Sequence, residues 1–161
     1  MQLRLITGPT GASSCSPYHC GDTGPDGGIV FFVDGSGCHG LEAQATEANQ
    51  GAIMDWDTAI STSAAYNTTT ITGPSGLYCS TTALPSPDAP PATLNCWHLP
   101  TKTELEHLNE QRTVVGGFDL YPYWSSSESA TGTAWAQGFV DGGQFSNDKA
   151  LTFLVRAVRA F

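Results

Sequence analysis

Positive charge is scarce in this sequence. Its 161 residues include six Lys and Arg against fifteen Asp and Glu, which gives a formal net charge of −9. This balance argues against nucleic acid as a partner, because nucleic-acid-binding domains carry a basic surface. It also disfavours polyanions unless the few cations cluster on one face. An acidic surface instead favours divalent cations such as calcium.

Long hydrophobic runs are also missing. No apolar stretch approaches the ~20 residues needed to cross a bilayer, so the sequence predicts no membrane-spanning segment. Residues 1–6 are too few for the apolar region of a signal peptide. If the protein is exported, we expect this sequence to be its mature part.

Recognisable catalytic and metal-binding motifs are absent as well. The sequence has no Gly-x-Ser-x-Gly elbow, and the glycine-rich residues 24–28 lack the following helix that a phosphate-binding loop needs. His98 and His107 lie nine residues apart, which is not the i,i+4 spacing of a chelating pair. We therefore predict a protein that is not an enzyme.

The five cysteines form no CxxC pair, so a structural zinc site is not expected. In an exported domain, five cysteines predict two disulfides and one free thiol. We favour a bond between Cys79 and Cys96, and a second bond between Cys38 and either Cys15 or Cys20.

The clearest local signal is the start of a central helix. Thr101 and Glu104 have the Ser/Thr-x-x-Glu spacing of a capping box, in which each side chain binds a backbone amide of the other residue. Leu105 and Leu108 then fall on one helical face. Pro100 favours an extended conformation just before the helix.

The remaining patterns predict strands and one further short helix. Ile29–Val33 is a buried strand whose hairpin partner lies in residues 38–43, and residues 55–60 form a brief helix. Residues 134–140 alternate like a strand, and Asp-Gly-Gly follows as a hairpin turn. The return strand starts at Gln144 and is broken at residues 146–149.

A final strand is predicted over residues 151–161, and residues 78–95, with four prolines, read as a long surface loop. The sequence thus predicts a loop-rich α+β fold, with β-hairpins, a twisted antiparallel sheet and one or two short helices.

Five motifs occur in a fixed order along the chain. They are Gly-Pro-Asp-Gly-Gly-Ile-Val-Phe-Phe-Val from Gly24, His-Gly-Leu-Glu-Ala from His39, Trp-His-Leu-Pro-Thr-Lys-Thr-Glu-Leu from Trp97, Tyr-Trp-Ser-Ser-Ser-Glu from Tyr123, and Val-Arg-Ala-Val-Arg from Val155. Together they resemble the bacterial domain family named after the C-terminal domain of the Legionella collagen-like adhesin. The resemblance implies a C-type-lectin-like fold over residues 21–161. It also implies a non-catalytic, secreted or surface-displayed module that binds sulfated glycosaminoglycans and is often a trimer.

The N-terminal region adds to this resemblance. Residues 8–13 form two triplets that begin with glycine, the spacing that a collagen triple helix requires. We therefore interpret residues 1–20 as the remnant of a collagen stalk and its neck, and residues 21–161 as the globular head. A three-chain stalk predicts a homotrimer.

The candidate anion-binding residues are few because the sequence has six Lys and Arg. Lys102 lies in the first turn of the central helix, where the helix dipole also favours an anion. We predict Lys102, Arg112 and Lys149 as the glycosaminoglycan-binding set. The family pattern repeats Arg156 and Arg159, which implies structural pairing with Asp or Glu.

Two other groups of side chains leave alternatives open. Tyr121, Tyr123 and Trp124 form either a sugar-stacking platform or part of the core. Asp141, Asn147 and Asp148 offer oxygen ligands for calcium, although turn formation alone explains them.

The resulting prediction is an extracellular adhesin head that attaches to host or matrix glycosaminoglycans, with divalent cations promoting aggregation. The first alternative is a trimerisation cap for the stalk that binds no ligand. The second is a calcium-dependent lectin.

Overall fold

The computed structural model describes residues 17–46, 51–66 and 96–161. In this part of the chain, three short helices and six strands form an α+β fold with two small antiparallel sheets. The elements are β1 (Ile29–Val33), β2 (Gly40–Ala43), α1 (Trp56–Ala65), α2 (Lys102–Glu110), α3 (Arg112–Val115), β3 (Tyr123–Ala130), β4 (Thr133–Gln137), β5 (Gln144–Asp148) and β6 (Val158–Ala160).

The first sheet has the strand order β1-β2-β6, so the C-terminal strand lies beside the N-terminal hairpin. Strand β2 pairs with β1 as predicted, with Ile29 opposite Ala43 and Val33 opposite Gly40. On its other side β2 pairs with β6, which places Glu42 opposite Arg159. This pairing of distant segments brings two charged residues into the interior.

The second sheet is the meander β3-β4-β5. The prediction that the return strand breaks at residues 146–149 is wrong, because β5 continues through Asp148, which pairs with Thr133. The predicted final strand is also shorter than expected. Only Val158–Ala160 forms a strand, while Phe153 and Leu154 make isolated bridges to Met54 and Tyr123.

Two apolar clusters form the core. One cluster joins the first sheet to α2 and includes Phe31, Leu105 and Leu108, which confirms the predicted apolar face of the central helix. The other joins the second sheet to α1 and is centred on Trp124, which is fully buried. None of the helices in the described ranges has the length and apolar character required to cross a bilayer.

Helix α1 begins close to its predicted position but extends further. Asp55 caps it by accepting a hydrogen bond from the amide of Thr58 at 2.8 Å. The helix then continues to Ala65, because Ala59 and Ser63 lie on its buried face against the second sheet. The predicted loop over residues 78–95 lies outside the described residues.

Candidate functional site

The central helix begins with the predicted capping box. The amide of Glu104 donates to Thr101 Oγ1 at 3.2 Å, and the amide of Thr101 donates to Glu104 Oε2 at 2.8 Å. Glu104 also faces the imidazole of His98, whose Nε2 lies 3.1 Å from the same carboxylate oxygen. The predicted cap is therefore confirmed, and it includes a buried histidine that the sequence pattern did not reveal.

Both ring nitrogens of His98 face acceptors. Its Nδ1 lies 2.8 Å from the carbonyl oxygen of Cys96, and its Nε2 faces the carboxylate of Glu104. Burial lowers the pKa of His98, but the hydrogen bond and charge of Glu104 outweigh burial and raise it above 6.5. Burial raises the pKa of Glu104, but His98 and Thr101 together lower it below 4.5. Both shifts favour the charged forms, an imidazolium that faces a carboxylate inside the fold.

A second buried charge cluster involves residues 24–28, here called the GPDGG loop. The loop folds over Glu42, whose carboxylate accepts hydrogen bonds from the amides of Gly28 at 2.9 Å and Asp26 at 3.3 Å. Arg159 forms ion pairs with Asp26 and Glu42. Burial raises the pKa of Glu42, while these hydrogen bonds and Arg159 oppose the rise. The expected pairing of Arg159 with acids is present.

Arg156 bonds to backbone carbonyls, and its predicted pairing with an acid stays a prediction. Its guanidinium is fully buried and donates to backbone carbonyls of Gln44, Ala45, Gly116 and Gly117 at 2.7–3.0 Å. It also lies over the ring of Phe118. Its hydrogen bonds therefore join its own segment to two separate loop segments of the chain.

Lys102, the first predicted sulfate contact, is the first residue of α2. Its ammonium lies 3.4 Å from the centre of the Trp135 ring, a cation–π geometry. Its backbone amide donates to Ser127 Oγ at 2.9 Å, so that helix-terminal donor is already occupied.

Arg112, the second predicted contact, begins α3 directly after α2 and is exposed. Its Nη1 donates to the carbonyl of Asn109 at 3.0 Å. Lys102 begins α2 and Arg112 follows its end, so the nine-residue helix, about 14 Å long, lies between them.

Lys149, the third predicted contact, forms an ion pair with Glu128 at 3.0 Å and lies 3.9 Å from the centre of the Trp56 ring. Trp56 packs against the core that contains Ala134 and Ala136, whereas Trp135 points to the opposite face of β4. Lys102 and Lys149 therefore lie on opposite faces of the second sheet. The structure does not bring the three predicted cations together on one surface.

The predicted aromatic platform does not form. Tyr123 and Trp124 are both fully buried, and the indole nitrogen of Trp124 donates to the carbonyl of Met54 at 2.9 Å. Only Tyr121 of the three is exposed. The core interpretation is confirmed for Tyr123 and Trp124, since their rings fill the apolar clusters.

Of the three candidate calcium ligands, Asn147 lies within β5, opposite Ala134, and not in a turn. Asp141 is in the β4–β5 turn, where it accepts from the amide of Gly143 at 3.0 Å. Asp148 ends β5 and accepts from the amide of Ala150 at 2.9 Å. The length of β5 separates the two, so the turn interpretation accounts for both residues. Within the described ranges, no group of three or more His, Cys, Asp or Glu is arranged to hold a metal ion.

Three of the five cysteines fall within the described residues. Cys38 and Cys96 each take part in a disulfide bond, and Cys20 is a free, exposed thiol. The alternative that pairs Cys38 with Cys20 is therefore wrong. Cys15 and Cys79 lie outside the described residues, so the predicted pairing of Cys96 with Cys79 stays a prediction.

A cleft of about 290 Å³ opens beside the GPDGG loop. Asp26, Gly27 and Gly28 form one part of its lining, and the rings of Tyr66 and Trp97 form another. No sequence pattern predicts this cleft, because its lining residues come from four separate segments of the chain. The nearest signal was the pair of glycines before β1, of which Gly28 lets the loop approach Trp97 because it has no side chain.

In comparisons with known proteins, no family model matches the chain and no curated protein matches it. The function is therefore argued from the arrangement of its residues.

Proposed function

We propose that the chain is the head of a collagen-like extracellular adhesin, with a C-type-lectin-like fold, that binds sulfated glycosaminoglycans on host or matrix surfaces. The fold proposal is supported by the way the five sequence motifs contact one another. Glu42 joins the GPDGG loop to Arg159, and His98 pairs with Val158 in the backbone. The amide of Ser126 donates to the carbonyl of Pro100 at 2.8 Å, which links the remaining motif. The motifs thus form one internal framework, as expected of residues that specify a fold.

The binding proposal depends on the cations that have no acid partner. Arg159 and Lys149 form ion pairs with carboxylates, and Arg156 is buried against carbonyls. Among the described residues, this leaves Lys102 and Arg112 as Lys and Arg side chains with no ion pair to a carboxylate. We propose them as the principal sulfate contacts. Lys149 is paired with Glu128 on the opposite face of the second sheet, so it is left out of this set.

Binding of this kind is weak at each site and depends on salt. Exposed ion pairs contribute up to about 1 kcal/mol each and are screened as ionic strength rises. Three heads on one stalk would compensate through avidity, because the later contacts become intramolecular. This requirement links the proposed activity to the proposed trimer.

The proposal is tested by measuring retention on heparin and chondroitin sulfate across a salt series, with oligomeric mass measured alongside. We expect retention to fade as salt rises, and the double substitution Lys102→Ala and Arg112→Ala to weaken binding roughly 5- to 30-fold. The matched control replaces neutral neighbours, Thr103→Ala and Thr113→Ala, and should bind like the unmodified chain. Unchanged retention in the Lys102 and Arg112 variant would remove this site assignment.

A trimerisation cap without a ligand is the second candidate, and it is favoured by exposed apolar side chains. Leu120 is 81% and Val140 is 64% exposed, on two segments joined by the stacked rings of Phe118 and Phe139. Substituting Leu120→Asp and Val140→Asp should reduce the oligomeric mass if this surface joins the heads. Leu151→Asp, at another exposed leucine, is the control. A trimer that binds no polyanion at low salt would favour the cap over the adhesin.

A further inference from the structure

We propose that the cleft beside the GPDGG loop is a separate binding subsite for one uncharged sugar ring. This subsite goes beyond the sulfate contacts proposed above, since it involves none of the same residues. Its volume of about 290 Å³ is at the lower end of the range for small-molecule pockets. That size suits a monosaccharide unit rather than a longer segment of glycan.

Hydrogen bonds within the GPDGG loop and to the buried Glu42 beneath it hold one wall of the cleft rigid. The amide of Gly28 donates to buried Glu42, and Gly24 N donates to the carbonyl of Gly28 at 2.8 Å, which closes the loop on itself. A side chain at Gly27 would meet no atom within 4 Å, so the loop presents bare backbone to open space there. A rigid backbone wall lowers the entropy cost of binding a small ligand.

The other wall supplies aromatic surface. Trp97 lines the cleft although it is only 9% exposed, and its ring lies 3.0 Å from the position that a Cβ on Gly28 would occupy. Tyr66, the C-cap residue of α1, also lines the cleft and is partly exposed. Aromatic rings of this kind offer an apolar face with a polar tip, which matches the mixed apolar and hydroxyl surface of a sugar ring.

Polar groups of the lining suit hydroxyls better than anions. Gln44 accepts a hydrogen bond from the amide of Ala157 through Oε1, an arrangement that leaves Nε2 as its donor. Thr46 is exposed and adds a hydroxyl. No Lys or Arg belongs to the lining that the structure describes.

The charges nearest the cleft also disfavour an anion. Asp26 lines the cleft and Glu42 lies behind its wall, while the guanidinium of Arg159 is directed at these two acids. A sulfate would thus approach two carboxylates without a free cation of its own. The cleft therefore selects neutral sugars, unlike the Lys102 and Arg112 surface.

The test is an NMR titration of the protein with three uncharged probes, methyl glucoside, methyl galactoside and N-acetylglucosamine. We expect at least one probe to shift the amide signals of Gly27, Gly28 and Thr46 and the indole signal of Trp97, with millimolar affinity. A probe set that shifts none of these signals would overturn the proposal, as would shifts confined to other surfaces.

Two variants make the test specific. Thr46→Trp fills the cleft and Tyr66→Ala removes an aromatic wall, and each should weaken sugar binding at least tenfold. Thr152→Trp places the same large ring at another exposed threonine and should leave binding unchanged. Undiminished sugar binding in both cleft variants would overturn the proposal. Retention of Thr46→Trp on heparin is measured separately, because the sulfate contacts should survive the loss of the cleft. The two proposals can therefore fail independently of each other.

Discussion

The imidazole of His98 lies 3.1 Å from the carboxylate of Glu104, and both side chains are buried. The contact crosses from the segment before α2 into the first turn of the helix. Because Nδ1 of His98 must donate to the carbonyl of Cys96, the ring needs both of its protons to satisfy both neighbours. A charged pair therefore fixes the entry to the central helix.

The first prediction concerns alkaline pH. The pKa of His98 is raised by folding from 6.5, so its stabilisation is complete below about pH 6.5 and is lost as pH rises through the folded pKa. We expect the free energy of unfolding, measured with urea at a series of pH values, to fall on the alkaline side. His98→Gln should abolish this decrease, and the control His107→Gln should keep it. A pH-independent plateau in the unmodified protein would contradict the prediction.

For Glu104 the dependence of stability on pH has the opposite sign and appears at acid pH. Its pKa is lowered from 4.5, so its stabilisation is present above pH 4.5 and is lost as pH falls through the folded pKa. The pair therefore contributes most between these two transitions, and the same urea series extended to acid should show a second decrease.

The second prediction concerns removal of the Glu104 side chain. Glu104→Ala leaves a buried imidazolium without its carboxylate and also removes half of the capping box, so we expect a loss of about 3–5 kcal/mol near neutral pH. Thermal and urea unfolding measure this loss. Glu110→Ala, at an exposed position of the same helix that contacts His107, should cost under about 1 kcal/mol. Similar losses in both variants would show that the buried pair has no special role.

The third prediction concerns the packing of the GPDGG loop. A Cβ on Gly28 would lie 2.6 Å from the carbonyl oxygen of Ala43 and 2.8 Å from Glu42 Oε2. Gly28→Ala should therefore cost about 1–3 kcal/mol, since neither backbone nor buried acid can move freely. Gly35→Ala is the matched control, because a Cβ there meets nothing within 4 Å. Equal stability of the two variants would contradict the described fit of the loop.

The fourth prediction concerns the fork geometry of Arg156. Lysine keeps the positive charge but cannot reach the carbonyls of Gln44, Gly116 and Gly117 at once. Arg156→Lys should therefore lower the free energy of unfolding by at least about 1.5–3 kcal/mol, the range for one hydrogen bond to a charged group. Arg112→Lys, at an exposed arginine, should change stability little. A fully stable Arg156→Lys protein would show that the charge alone suffices.

Local signals in the sequence were sufficient for several elements. The capping box at Thr101, the apolar face of α2 and the β1–β2 hairpin depend on residues close together in the chain, and each is present as predicted. The sequence predicts too short a strand for β5, because the polar residues of this segment are typical of a turn. Its pairing with β4 supplies the ladder that holds those residues in a strand.

The positions of the predicted site residues relative to one another could not be predicted from local sequence patterns. Lys102, Arg112 and Lys149 were grouped by charge, but the faces of β4 and the length of α2 separate them. The cleft shows the reverse case, since Gly28, Gln44, Tyr66 and Trp97 carry no common pattern and meet only through folding. Residues of distant segments meet at the surface only when those segments pair, and no local periodicity in the sequence predicts which residues will meet.

The sequence by itself determined the α+β class, the cap and apolar face of the central helix, and the acidic balance of the protein. These properties follow from composition and from interactions within a few residues. The tertiary structure decided which charges are buried and which remain available. Burying Glu42, Arg156 and Arg159 is favourable only where distant partners satisfy them, and those partners come together only when β6 docks beside β2 and the loops close around Arg156.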